Sequence, residues 1–265
     1  MAVSEGGWKG EGRGLLGWFG ELDRLLTGEY TGVSRLRERG LGISPWRLSA
    51  CIVILAMSYG ICMGLFAVFG EKGPGLMQVV ASMVKVPLVF YLTLVVTLPS
   101  LYVFNALVGS RISFVGVVRL LVASLGVNVT VLASLGPIVA FFSVCTTSYP
   151  FMLLLNVAVF AVAGAFGLRF LLQALHRMNV ATQARSEAEM GVEAGALQPV
   201  PDRAVANHVR LVFRLWMIVF GLVGAQMGWV LRPFIGNPNL PFAWFRHRES
   251  NFFLAVVEAI RNLFS

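Results

Sequence analysis

Between Lys72 and Ser186 the chain carries no Asp or Glu, and long apolar runs follow one another with cations only near their ends. A helix needs about 20 apolar residues to cross a bilayer core, and several of these runs reach that length. Lipid satisfies no backbone N–H or C=O, so such runs fold as helices whose hydrogen bonds close within themselves. The composition agrees: 57% of the 265 residues are hydrophobic and 13% charged, against about 25% charged in a soluble domain. The pattern predicts an all-α, polytopic transmembrane helix bundle with about five spans and an amphipathic interfacial helix at each terminus.

The organisation follows from punctuation. Residues 1–47 are polar and contain one helical stripe, Leu15, Trp18, Phe19, Leu22, Leu25 and Leu26, with Glu21, Asp23 and Arg24 off it. That helix either lies in the membrane interface or packs against the cytoplasmic face of the bundle. Residues 48–175 hold four spans, at about 48–69, 86–108, 114–140 and 150–172. A short surface helix is expected before the second span, from Leu76, Met77, Val79, Val80, Met83 and Val84. Pro87 falls in the first turn of the second span and Pro99 near its middle, where Thr97 and Ser100 are placed to satisfy the carbonyls that a proline frees. Gly136-Pro137 interrupts the third span. The uncharged link from Cys145 to Tyr149 is short enough to make spans three and four an antiparallel hairpin. Residues 176–210 read as a cytoplasmic linker rich in Glu, Gly and Pro. Residues 211–232 form the fifth span, and 233–265 an outer-side tail. In that tail Phe253, Val256, Val257, Ile260 and Phe264 line one helical face opposite Glu258 and Arg261.

Of the 21 Lys and Arg, fifteen fall on the side of the N-terminus under this arrangement and six on the other. The positive-inside rule therefore predicts a cytoplasmic N-terminus and an outer C-terminus in a bacterial cytoplasmic membrane. The net charge of +8 is explained by topology and implies no nucleic acid. The first 47 residues lack the short apolar core and cleavage site of a signal peptide, so the first span serves as its own insertion signal.

Chemistry has few candidates. Without carboxylates at depth, proton relays and sodium-coupled transport lose their usual residues, and acid–base pairs are missing for the same reason. His176, His208 and His247 lie in polar segments with no ligand-spaced partner. Cys51 and Cys62 are about 16 Å apart in helical rise, too far for a disulfide; with Cys145 they read as packing residues. No phosphate-binding, dinucleotide, nucleophile-elbow or metalloprotease signature occurs. No enzymatic role, catalytic residue, metal or cofactor is expected.

Candidate contacts are cationic and aromatic. Arg119, Arg169 and Arg214 fall near the cytoplasmic boundary; each snorkels to headgroups, or the three converge on an anionic lipid headgroup. Trp229, Arg232, Trp244 and Phe245 cluster around the end of the fifth span, either as an interfacial anchor or as a docking surface for a partner. Gly221, Gly224 and Gly228 in span five, and Ala161, Gly164, Ala165 and Gly167 in span four, mark candidate helix-packing faces within one chain or between copies.

The run Lys85-Val86-Pro87 to Thr93, then Thr97-Leu98-Pro99-Ser100-Leu101-Tyr102 and Asn105-Ala106-Leu107, together with five spans and a short outer hairpin, resembles the Yip1-like superfamily of membrane proteins, bacterial members included. The resemblance covers about residues 48–232 and implies a non-enzymatic role in membrane organisation exercised through other proteins. The expected function is accordingly an accessory or scaffold subunit, with membrane lipids and a membrane-protein partner or a second copy as its contacts. The alternative is a channel or carrier for a neutral or anionic solute, lined by Asn105, Asn128, Asn156 and Gln226. A solvent-filled path along those amides favours it, and a dry bundle counts against it.

Overall fold

Helices are the predicted answer to the apolar runs, and in a computed structural model of the chain every regular element among the described residues is a helix. Those are residues 15–27, 45–69, 75–107, 114–190, 218–232, 234–236, 241–245 and 251–264. In order they form α1 (Leu15–Leu26), α2 (Pro45–Gly64), the single turn α3 (Phe66–Phe69), α4 (Leu76–Leu107), α5 (Phe114–Cys145) and α6 (Tyr149–Met190). The short apolar helix α7 (Ile218–Val230) and the terminal helix α8 (Phe252–Phe264) follow.

Four segments are long and apolar enough to cross a membrane: Pro45–Phe69, Leu76–Val103, Phe114–Cys145 and Tyr149–Ala174. The chain is therefore built as a polytopic membrane protein. The described part of the expected fifth span is helical from Ile218; residues 211–217, Arg214 among them, and the linker residues 191–210 lie outside the described residues.

α2 is the hub. It packs along both α4 and α5, and α5 packs along α6, as the three-residue link Thr146–Ser148 requires. Ser148 caps α6, its hydroxyl accepting the Phe151 N–H at 3.4 Å. Gly60 and Gly64 let α2 and α4 touch: a Cβ on Gly60 would stand 2.7 Å from Met83 Cα, and one on Gly64 2.7 Å from Val79 Cα. Across α5 and α6, the Ser124 hydroxyl donates to the Gly167 carbonyl at 2.8 Å. A Cβ on Gly167 would fall 2.8 Å from Asn128 Cβ.

Four expectations change. The separate surface helix at 76–84 is the beginning of α4, which runs unbroken through Lys85 and Pro87. Its apolar face, with Leu76, Met77, Val80 and Val84, is exposed, while Gln78, Ser82 and Lys85 are buried. That inversion fits a helix with lipid outside and polar partners inside. Next, the hydroxyls near Pro99 do not reach the carbonyl that the proline frees, that of Val95. Thr97 donates to the Thr93 carbonyl at 2.7 Å and Ser100 to that of Thr97 at 2.7 Å, because a helical Ser or Thr reaches only three or four residues back. Third, α5 continues through Pro137 to Cys145. Fourth, α6 continues to Met190, so the first part of the expected linker is helical.

Of the two ways α1 could sit, it packs: Leu22 and Leu25 are buried against α2 and α5. α8 packs on α6 and keeps Phe253, Leu254, Val257 and Ile260 exposed.

Candidate intramembrane binding site

A large opening in the bundle lies between α4, α5, α6, α7 and α8. It is a cavity of about 860 Å³. Its α6 wall runs from Tyr149 to Leu168, about 28 Å at 1.5 Å per residue, close to the roughly 30 Å of a bilayer core.

Small residues make the space. Ala161, Gly164 and Ala165 of α6 and Gly221, Gly224 and Gly228 of α7 all line the cavity. A Cβ on Gly164, Gly221 or Gly228 would meet nothing within 4 Å, whereas one on Gly224 would stand 3.6 Å from Thr93 Cγ2. Within the chain these faces border a cavity, so a contact with a second copy is the form in which close packing there remains open.

The ends differ. At one rim Trp229, Arg232, Glu258 and Asn262 meet Tyr149 and Phe252. The Arg232 guanidinium lies 3.8 Å from the Trp229 ring centroid, a cation–π geometry. Further in, the walls are Val89, Phe90, Phe160, Leu168 and Phe220, with Thr93, Asn128 and Asn156 as the polar members. Asn156 is already committed: its oxygen accepts the Tyr59 hydroxyl at 2.8 Å and its nitrogen donates to the Met152 carbonyl at 2.8 Å. That bond ties α2 to α6, with Phe160 edge-on to Tyr59 at 5.6 Å and stacked on Phe90 at 5.8 Å.

Beside the rim the segment after α7 is strapped to α4. Gln78 Nε2 donates to the Phe234 carbonyl at 2.8 Å, the Ser82 hydroxyl donates to the same oxygen, and Lys85 Nζ donates to the Trp244 carbonyl. The Lys85 ammonium also stands 5.2 Å from the Phe245 ring centroid. Lys85 is only 2% exposed, so this cation lies inside the bundle. Trp244 and Phe245 remain exposed.

Of the residues singled out in sequence, Trp229 and Arg232 line this rim, whereas Trp244 and Phe245 sit against Lys85 of α4. Arg119 and Arg169 sit at the opposite end, on the same side of the Ser124–Gly167 contact; Arg169 is exposed and Arg119 half-buried. Of the four amides, Asn128 and Asn156 line the cavity, while the side chain of Asn105 lies outside the described residues. Sequence reasoning passed over Lys85, Gln78, Ser82, Thr93 and Tyr59. Gln78, Ser82 and Lys85 had a signal, for i, i+4, i+7 spacing puts them on one helical face. Among the described residues no three His, Cys, Asp or Glu side chains group as metal ligands.

No family model matches the chain, and no curated protein or solved structure matches it significantly. Fold and site define a class, a polytopic α-helical membrane protein with a large, mostly apolar cavity along its helices.

Proposed function

We propose that this protein works by binding rather than by chemistry, as an intramembrane host for a small apolar or amphipathic molecule. The observation that carries the reading is the glycine-walled cavity of about 860 Å³. Small-molecule sites span about 300–1,000 Å³, are mostly apolar and occur between helices of bundles. A cavity of this size between helices suits a lipid-sized guest. Arg232 and Trp229 at the rim suit the polar end of such a guest. This is the carrier reading narrowed to solutes that partition into membranes.

The test is purification in mild detergent from native membranes, with mass spectrometry of bound small molecules. About one lipid-sized molecule per chain is expected, and its loss from a Gly164→Phe, Gly221→Phe double variant that fills the cavity. A protein with no such molecule, and no gain in thermal stability from added lipid, would sink the proposal.

One observation favours the accessory or scaffold reading, in which the chain acts through partner proteins. Trp244 and Phe245, exposed yet held in place by Lys85, are residue types that anchor interfaces. Loss of a copurifying partner from a Trp244→Ala, Phe245→Ala variant would support it. In either reading we place the protein in a bacterial cytoplasmic membrane with its N-terminus inside, α7 as part of a fifth span, and Yip1-like architecture. The charge bias supports the orientation, and labelling a cysteine introduced at Asn251 from the outside tests it.

A further inference from the structure

Among the described residues that line the cavity two carry charge, Arg232 and Glu258. The turn that ends α7 places the first. Arg232 N–H donates to the Trp229 carbonyl at 3.4 Å, and residues three apart are neighbours on a helical surface. The guanidinium accordingly stands over the Trp229 ring, 3.8 Å from its centroid, and Arg232 is half-buried. A cation at the end of a span is ordinarily explained by snorkelling into bulk headgroups. An arginine held over a ring that itself lines the cavity is kept on the cavity side instead. Stacking engages the face of a guanidinium and directs its forked N–H edge sideways, the geometry that receives a carboxylate or a phosphate in two parallel bonds. Glu258 is exposed, one turn before Asn262, and both belong to the α8 face that lines the cavity.

Resting on the host reading, we infer that the guest is an amphiphile whose head carries a single negative charge, a carboxylate or a phosphodiester received by Arg232. Charge selects it. A cationic head is repelled by the guanidinium, and a neutral head gains nothing from its charge. A head with two negative charges, such as a phosphomonoester, meets the Glu258 carboxylate in the same cavity. Fatty acids and glycerophospholipids both carry the required head. Trp229 is the positioning residue, since its ring fixes where the guanidinium lies.

The test uses the full-length protein in mild detergent with two pairs of ligands, palmitate against hexadecanol and phosphatidylglycerol against diacylglycerol, and reads occupancy by native mass spectrometry. In at least one pair the anion is expected to bind about tenfold tighter than its neutral counterpart, the equivalent of about 1.4 kcal/mol, and that pair names the source of the head. Arg232→Gln abolishes the preference, Arg232→Lys keeps it, and Trp229→Leu weakens it without changing how the neutral member binds. Arg261→Gln, which removes an exposed cation of α8 outside the cavity lining, leaves it intact. Hexadecyl phosphate, doubly charged at about pH 8, is expected to bind less tightly than palmitate, and tighter binding overturns the single charge. Equal binding within both pairs overturns the inference and leaves the host reading standing. A preference that survives Arg232→Gln, or that Arg261→Gln removes as fully, overturns it too. Binding of none of the four defeats the host reading and the inference together.

Discussion

Two glycine pairs of the same form lie in this molecule with opposite surroundings. Gly60 and Gly64 of α2 are pressed against the α4 backbone, at 2.7 Å for an added Cβ in each case, while on α7 one on Gly224 would stand an ordinary 3.6 Å from Thr93 Cγ2 and one on Gly228 would meet nothing. The spacing is identical, Gly-x-x-x-Gly. The difference shows that the motif removes side chains from a helix face without saying what arrives there: in one half of the bundle a helix does, and in the other a cavity is left.

The largest effect should come where that contrast is sharpest. Gly60→Ala forces α2 from α4 and is expected to cost about 3 kcal/mol, the upper range of overpacking, read as loss of thermal stability in detergent. An unchanged midpoint would break the comparison. Lys85→Met leaves the Trp244 carbonyl without its donor, at about 1–3 kcal/mol; limited proteolysis should then cut between Phe234 and Phe245 faster, and no change in cutting would show the strap to be incidental. Tyr59→Phe removes one buried interhelical bond. Such bonds in membranes average about 0.6 kcal/mol with a maximum near 1.7, so a loss of about 1 kcal/mol is expected, and a double cycle with Asn156→Leu isolates it. Gly164→Ala and Gly221→Ala are expected to fall within about 0.5 kcal/mol of wild type. A loss as large as that of Gly60→Ala would mean that the cavity closes in the membrane.

Much of the frame was legible because lipid leaves so little choice. The carboxylate-free stretch and the run lengths located four long helices, and the short link between Cys145 and Tyr149 made α5 and α6 neighbours. The start of α4 was misread because Lys85 and Pro87 look like a boundary, and a cation at a boundary needs no explanation. Only tertiary structure supplies the carbonyls of Phe234 and Trp244 that allow Gln78, Ser82 and Lys85 to turn inward. The cavity was hidden for a related reason, since Gly164, Gly221 and Gly228 carry no record of their neighbours.

The strap between Lys85 and Trp244 also has a meaning in time. The two residues are 159 positions apart, so a ribosome making the chain delivers the amine long before it delivers the carbonyl. Throughout that interval the Trp244 carbonyl is not there to accept from the Lys85 amine. A segment made late thus completes a helix made early, and the strap closes only once residue 244 has been made.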